Sequence, residues 1–290
     1  MKYLFIVNKI AGKGKSEKIV PNIEKVCKDK NIDFEVKYIS KEKSGYDIAM
    51  EYKEQECVIY IVGGDGTLTI TLPALIGTKN KIGIIPTGSG NDTYRAIRKL
   101  KQGESKIDVG KINDRYFINV ASMGIDAEIG NNMDKFRNKI IPASQRYNVS
   151  ILYTFCGFKY KNMKMSTNIK NIIDKYTILS ICNGSHYGGG FNISPRSSLV
   201  DGLFDIYYVE PMHKFKIIPL IFKMKKGKHV GKRRIHKFRT NHIELELEEE
   251  VAFNVDGEKL VGTKLVADVI PKALRIYNDD KFVEDIMGDY

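Results

Sequence analysis

Up to about Lys99 the chain alternates runs of strand length with longer stretches of helical periodicity. Tyr3-Leu4-Phe5-Ile6-Val7 and Val58-Ile59-Tyr60-Ile61-Val62 are apolar throughout, and residues 34–39 and 82–85 form two further short runs. Uninterrupted apolar runs of this size suit strands covered on both faces. Helical stretches near 16–30, 44–54 and 67–76 lie between them. The pattern predicts an α/β domain, a mostly parallel sheet with helices on both faces.

Past Gly103 the texture changes. Residues 116–120, 176–181 and 204–209 read as strands separated by turns, and 251–255 and 264–270 add two more. Ile243-Glu244-Leu245-Glu246-Leu247-Glu248 alternates strictly, as a strand with one wet face does. Helices are expected near 134–158, where Pro142 is a candidate break, and near 212–226. This half reads as a β-rich second domain. The expected division is 1–118 for the α/β domain and 119–271 for the β-rich one.

At 290 residues the chain is long enough for two cores. No apolar run approaches the roughly 20 residues that span a bilayer. The opening run ends at Asn8, so no signal peptide is expected. Cys27, Cys57, Cys156 and Cys182 are far apart and form no C-x-x-C pair. They read as reduced thiols of a cytoplasmic protein and not as zinc ligands. His186 has no second ligand at metal spacing and reads as a turn residue.

The net charge of +12 is unevenly placed. Lys214 to Arg239 holds eleven Lys or Arg and no acid, whereas beyond it acids outnumber Lys and Arg thirteen to five. Phe215, Ile217, Ile218, Leu220, Ile221, Phe222 and Met224 share the basic segment. Such a mixture suits docking on anionic headgroups, and equally a solvated helix whose apolar residues face the core. A similar mixture runs from Arg146 to Lys164, with Tyr147, Leu152, Tyr153, Phe155, Phe158 and Tyr160. Nucleic acid is a poorer partner, because no recognised motif accompanies the charge and no aromatics are interleaved for stacking.

Three strands end in loops with chemical promise. Val62-Gly63-Gly64-Asp65-Gly66-Thr67-Leu68 is a tight strand-to-helix turn that aims backbone N–H groups and a helix N-terminus at an anion. Asp65 is repelled by a phosphate, so it fits a metal ion or a proton; together these features suggest phosphoryl transfer. Pro86-Thr87-Gly88-Ser89-Gly90-Asn91-Asp92 ends the next strand, and Asn8-Lys9-Ile10-Ala11-Gly12-Lys13-Gly14-Lys15-Ser16 ends the first. Loops at the carboxyl ends of neighbouring strands line one crevice in an open α/β sheet. Neither the dinucleotide fingerprint nor the P-loop spacing is present. Any one of these turns would also suit Gly and Asp for backbone reasons alone.

With these motifs in order, the chain resembles the diacylglycerol kinase catalytic-domain family, in its bacterial soluble lipid kinase branch, distantly similar to sphingosine kinases and NAD kinases. The resemblance continues through Asn119-Val120-Ala121-Ser122-Met123-Gly124-Ile125-Asp126, Tyr187-Gly188-Gly189-Gly190, Asp201-Gly202-Leu203-Phe204-Asp205 and Asp256-Gly257-Glu258. It implies an active site in the cleft between the two domains and a C-terminal segment, 272–290, that returns to the first. It also implies ATP as co-substrate and Mg²⁺ as cofactor.

Transfer to a hydroxyl needs a grip on the triphosphate, a cation to neutralise it and a carboxylate to take the proton. For the grip the resemblance nominates Asn8, Lys9, Ile10, Ala11, Gly12, Ser40, Gly64, Gly66, Thr67, Ser89 and Asn91. Lys9 stands where the family commonly has Pro, and Ser40 where it often has Thr. Glu258 is implied as general base and Asp65 as organiser of Mg²⁺, with Asp65 itself the rival base. Asp92 and Asp108 are expected in a supporting carboxylate network, although Asp92 also suits a helix cap and Asp108 a turn. Asp201, with carbonyls near Ser198 and Leu203, is implied as a structural Mg²⁺ site, where the bare sequence reads a turn.

The implied activity is ATP- and Mg²⁺-dependent phosphorylation of a membrane lipid, diacylglycerol to phosphatidic acid first. Other lipid alcohols (a sphingoid base, a polyprenol, phosphatidylglycerol) and a non-catalytic lipid-binding regulator are the alternatives. The expected setting is cytoplasmic, peripheral on the inner face of an anionic membrane, with no nucleic acid partner and room for a homodimer.

Overall fold

The computed structural model describes residues 1–132, 149–150, 153–154 and 157–288. Most of the expected helix near 134–158, with Pro142, lies outside the described residues. The chain forms two compact units, Met1–Val109 with Ile270–Tyr290 and Gly110–Val269. The first break falls within the strand Gly103–Ile112, earlier than the expected 118.

The first unit is a parallel sheet built on the strands β1 (Tyr3–Val7), β2 (Phe34–Tyr38), β3 (Val58–Gly63) and β4 (Lys81–Pro86). Their order is β4-β3-β1-β2, and beyond β4 lies the C-terminal strand Glu258–Asn278, whose Arg275 and Ile276 pair in parallel with Lys81 and Ile82. β1 and β3 are buried at every position, as their unbroken apolar sequence requires. Phe5 stacks on Tyr60 at 5.3 Å, and Phe282 of the last helix, Asp280–Met287, closes over both.

Local chemistry sets the helix boundaries. The stretch at 16–30 is two helices, Lys15–Lys18 and Val20–Asp29, with Pro21 in the first turn of the second. Gly45–Met50 begins with a capping box between Ser44 and Asp47. Asp65–Leu75 starts within the glycine turn itself.

The second unit is antiparallel. It contains β5 (Gly103–Ile112, in part), β6 (Arg115–Phe117), β7 (Val120–Gly124), β8 (Lys161–Thr167), β9 (Asn171–Tyr176), β10 (Ile178–Cys182), β11 (Phe204–Val209), β12 (Ile235–Thr240), β13 (His242–Val255) and the start of β14 (Glu258–Asn278). The order is β12-β11-β10-β7-β13-β14, with β8 and β9 continuing from β13. Two expected strands, 243–248 and 251–255, are the single strand β13, with a register irregularity between Glu246 and Val251. The expected strand 116–120 is instead two, because Asp256 takes the N–H groups of Ile118 and Asn119 out of the ladder. β5, β8, β9 and β12 have no counterpart among the expected strands. Helix Lys214–Lys225 covers one face of this sheet with Ile217, Leu220, Ile221 and Met224, packed in one core with Ile178, Cys182, Tyr207 and Val209.

Candidate active site

The loops after β1, β3 and β4 meet through their backbones, and glycine is what permits it. A Cβ on Gly88 would lie 2.4 Å from the Gly64 Cα, and one on Gly12 would lie 2.0 Å from the Thr87 carbonyl oxygen. Gly12 also has φ +59°, in the left-handed region. Thr87 and Gly88 both donate N–H bonds to the Gly63 carbonyl, at 3.1 and 3.3 Å. The Asn8 amide donates to the Thr67 hydroxyl at 3.0 Å, and the buried Ser16 and Thr87 hydroxyls are hydrogen-bonded to each other at 2.5 Å. Thr87 and Ser16 join these loops although the sequence reading passed over them; their signal was only their place inside the glycine stretches.

Asp65 binds the next loop directly. Its two carboxylate oxygens accept the backbone N–H groups of Asp92 and Thr93, both at 2.9 Å. These N–H groups belong to the first turn of helix Asp92–Ile97, so Asp65 caps a helix distant in sequence. Asp92 is buried and takes Arg95 at 2.9 Å. Asp108 is also buried and accepts the N–H of Lys272, a residue with φ +54° where the last strand bends.

Asn91 adopts φ +55° and donates its amide to the Pro86 and Gly88 carbonyls, at 3.3 and 2.8 Å. Two acceptors fix which end of the amide is nitrogen. Its Oδ1 is buried with no hydrogen-bond partner. A phosphate cannot satisfy that oxygen, because both are acceptors; an amino group or a ribose hydroxyl can.

The other expected residues lie differently. Ser89 and Gly66 are exposed beside the loops, and Ala11 donates its N–H to the Asn8 carbonyl at 3.0 Å. Ile10 is 84% exposed, and Lys9 sits over the Tyr38 ring at 4.4 Å and pairs with Glu17 at 3.3 Å. Ser40 spends its hydroxyl on its own turn, donating to Glu42 and accepting from the N–H groups of Glu42 and Lys43.

In the second unit the Asp256-Gly257-Glu258 turn joins β13 to β14. Asp256 has φ +46° and its carboxylate accepts the N–H groups of Ile118 at 2.7 Å, Asn119 at 3.1 Å and Val120 at 2.8 Å. Asn183 holds the same loop by donating to the Ile118 carbonyl at 2.8 Å. Glu258 is half exposed and pairs with Arg115 of β6 at 2.9 Å. Arg115 carried no local sequence signal.

Asp201 accepts the Leu203 N–H at 3.2 Å, as a turn aspartate does, and pairs with Arg239 at 3.2 Å. Ser198 accepts the Val200 N–H at 3.4 Å. Beside it, burial would raise the Asp205 carboxyl, but hydrogen bonds from Lys237, Ser197 and Arg239 hold it below the usual range. A guanidinium against Asp201 occupies the charge that a dication would need, so these residues do not fit a metal as they stand.

Among the described residues no three His, Cys, Asp or Glu side chains cluster to cage a metal. That is compatible with Mg²⁺, which keeps its waters and is commonly held by one or two carboxylates together with substrate phosphates. Asp65 fits such a role, because each of its oxygens retains lone-pair capacity after accepting one N–H.

Two family models divide the chain between them. Residues 2–120 match the one described as diacylglycerol kinase catalytic domain, and residues 119–278 the YegS C-terminal NAD kinase beta sandwich-like domain. The chain belongs to this lipid kinase family. A Shewanella frigidimarina protein named "Probable lipid kinase YegS-like" is 28% identical over 233 residues, 75% of each chain. A Bacillus subtilis diacylglycerol kinase is 24% identical over 215 residues, 69% of this chain and 71% of that one. The crystal structure of a diacylglycerol kinase from Bacillus anthracis has the same fold, with a TM-score of 0.69 at 20% identity over 96% of this chain and 97% of that one. The α/β unit with its parallel strands and the β-rich unit are therefore those of the lipid kinase family.

Proposed function

We propose that this lipid kinase transfers the terminal phosphoryl group of ATP to the hydroxyl of diacylglycerol. The observation that carries this reading is the backbone-to-backbone meeting of three glycine loops around Asp65, Thr67 and Asn91. The exposed Gly66 and Ser89 beside these loops suit phosphates, and the unpaired Asn91 Oδ1 suits a donor on the nucleoside.

Asp65 would hold Mg²⁺ with the phosphates, and the cation would neutralise charge on the group being transferred. By capping the helix Asp92–Ile97, Asp65 also keeps the third loop in place. Asp92 and Asp108 act as supports, one pairing with Arg95 and the other fixing the bend at Lys272. Glu258 takes the proton from the acceptor hydroxyl. It is half exposed, so it can accept that proton without the fold reorganising, and Arg115 orients it. Asp256 is a positioning residue, holding the turn from which Glu258 projects. The enzyme works peripherally on the cytoplasmic face of an anionic membrane, where its acceptor resides.

The test is labelled ATP with Mg²⁺ and a panel of lipids in mixed micelles: diacylglycerol, a sphingoid base, a polyprenol and phosphatidylglycerol. Labelled phosphatidic acid is the expected product. Label on another lipid instead would move the substrate assignment, and label on none, with ATP bound, would favour a regulator.

A further inference from the structure

Helix Lys214–Lys225 uses one face for the core and leaves the other chemically unusual. Ile217, Leu220, Ile221 and Met224 are buried. On the opposite side Phe215, Pro219 and Phe222 fall at i, i+4 and i+7, one stripe along the helix. Phe215 is 74% exposed and Phe222 60%. Exposed Lys216, Lys223 and Lys226 flank the stripe. The loop that follows continues the theme, with Lys228, Lys232 and Arg233 exposed around Val230.

Among the described residues the ion pairs of this segment belong to β12: Lys237 and Arg239 with Asp205, Arg239 with Asp201, and His236 with Glu210. Among the described residues no carboxylate pairs with Lys216, Lys223, Lys226, Lys228, Lys232 or Arg233.

We propose that the outward face of this helix, with the loop 226–234, is the surface by which the protein lies on an anionic bilayer. The inference rests on the lipid-kinase reading for its purpose, but its geometry stands apart from the glycine loops. A bilayer interface is the environment that rewards both features together. Aromatic rings enter the headgroup and acyl boundary while lysines remain at the phosphates. Nucleic acid would use the charge but not a helix stripe of Phe, Pro and Phe. By contrast, Phe158 is buried and Tyr160 donates to the Met212 carbonyl, so these two residues of the 146–164 stretch serve the fold.

The experiment is sedimentation with vesicles of phosphatidylcholine containing increasing phosphatidylglycerol, without ATP. Binding should rise with the anionic fraction and fall with salt. The double substitution Phe215→Ser and Phe222→Ser should weaken binding by about tenfold or more at an unchanged melting temperature. Lys223→Glu with Lys226→Glu should do the same through charge. Both variants should phosphorylate a short-chain, soluble diacylglycerol at the parental rate. Parental binding by both variants would overturn the docking surface and leave the kinase reading intact. Weakened binding only in the charge variant, with DNA duplex competing for the parent, would also overturn it, in favour of a simple polyanion site. A parent that binds vesicles through these residues yet phosphorylates no lipid would refute the kinase reading and keep the surface.

Discussion

Two turns, one in each unit, set a glycine beside an aspartate at the end of a strand, and they use these residues for opposite ends. At Gly63–Thr67 the glycines are there for closeness: the backbone of Gly64 lies against that of Gly88 with no room for a Cβ. At Asp256–Glu258 the need is conformational. Asp256 and Gly257 have φ of +46° and +95°, and nothing lies within 4 Å of a Cβ placed on Gly257. Each aspartate gathers N–H groups from another segment, two for Asp65 and three for Asp256. Beside the first turn, Asn91 Oδ1 is buried with no hydrogen-bond partner among the described residues. A carboxylate that ties down a loop thus does not by itself tell what the turn is for; the backbone around the glycine does, packed against a neighbour at Gly64 and open at Gly257.

The sharpest break between the turns is kinetic. Asp65→Asn keeps one oxygen acceptor, so one of the two N–H bonds to Asp92 and Thr93 weakens. A stability loss near 1 kcal/mol is expected, together with a fall in kcat of two orders of magnitude or more. Glu258→Gln should lose about as much kcat with no change in melting temperature, since it pairs with an exposed Arg115. ATP affinity, measured by calorimetry, should drop for Asp65→Asn and hold for Glu258→Gln. Parental kinetics in a folded Asp65→Asn protein would remove it from the chemistry and leave it a cap.

Alanine scanning separates closeness from conformation. Gly88→Ala must push two backbones apart and should cost about 3 kcal/mol or abolish nucleotide binding. Gly257→Ala meets only the left-handed penalty of about 1 kcal/mol. Urea midpoints read both. Equal costs would mean that the loops after β3 and β4 are not packed as described.

Much of this was legible in the chain, and the rest was hidden for physical reasons. Apolar runs such as Tyr3–Val7 and Val58–Val62 announce buried strands because each position needs cover. The glycine loops were equally plain in composition. What sequence could not show is which groups meet across distance. Asp65 and Asp92 are 27 residues apart, and Arg115 and Glu258 are 143 apart, with no local pattern joining them. β8 did carry a signal, Met163 and Met165 alternating with polar neighbours, but it was too short to stand out. The basic helix held both readings at once: Ile217 and Leu220 face the core, Phe215 and Phe222 do not.

The units also differ in what they bury, and acid should reveal it. The first buries a ring cluster of Phe5, Tyr60 and Phe282; the second buries a histidine, His229, beside Tyr207 at 5.3 Å. Burial pushes the His229 imidazole down from 6.5 to about 4. A group whose folded pKa is depressed takes up its proton more readily when unfolded. The stability it contributes is therefore complete above about pH 6.5 and is lost as pH falls toward 4. The slope should approach, and not exceed, about 1.4 kcal/mol per pH unit. Melting curves at pH 7, 6 and 5 should show this loss in the parent and less of it in His229→Gln. An identical acid response in both would mean that other groups govern it.

The smallest expected effect is the most discriminating for the Asp201 turn. A metal that binds only the folded state raises stability by mass action, by about 2.7 kcal/mol at a hundred times its Kd. With Arg239 at 3.2 Å already compensating Asp201, millimolar Mg²⁺ in the absence of nucleotide should leave the melting temperature where it is. Removing the competitor is the counter-test. In Arg239→Ala the carboxylates of Asp201 and Asp205 lose a guanidinium that both share, while Lys237 stays on Asp205. That variant should melt lower, and Mg²⁺ should now restore part of the loss. If Mg²⁺ instead stabilises the parent, and Asp201→Ala abolishes the effect, the turn is a metal site and the Arg239 pair gives way to the ion.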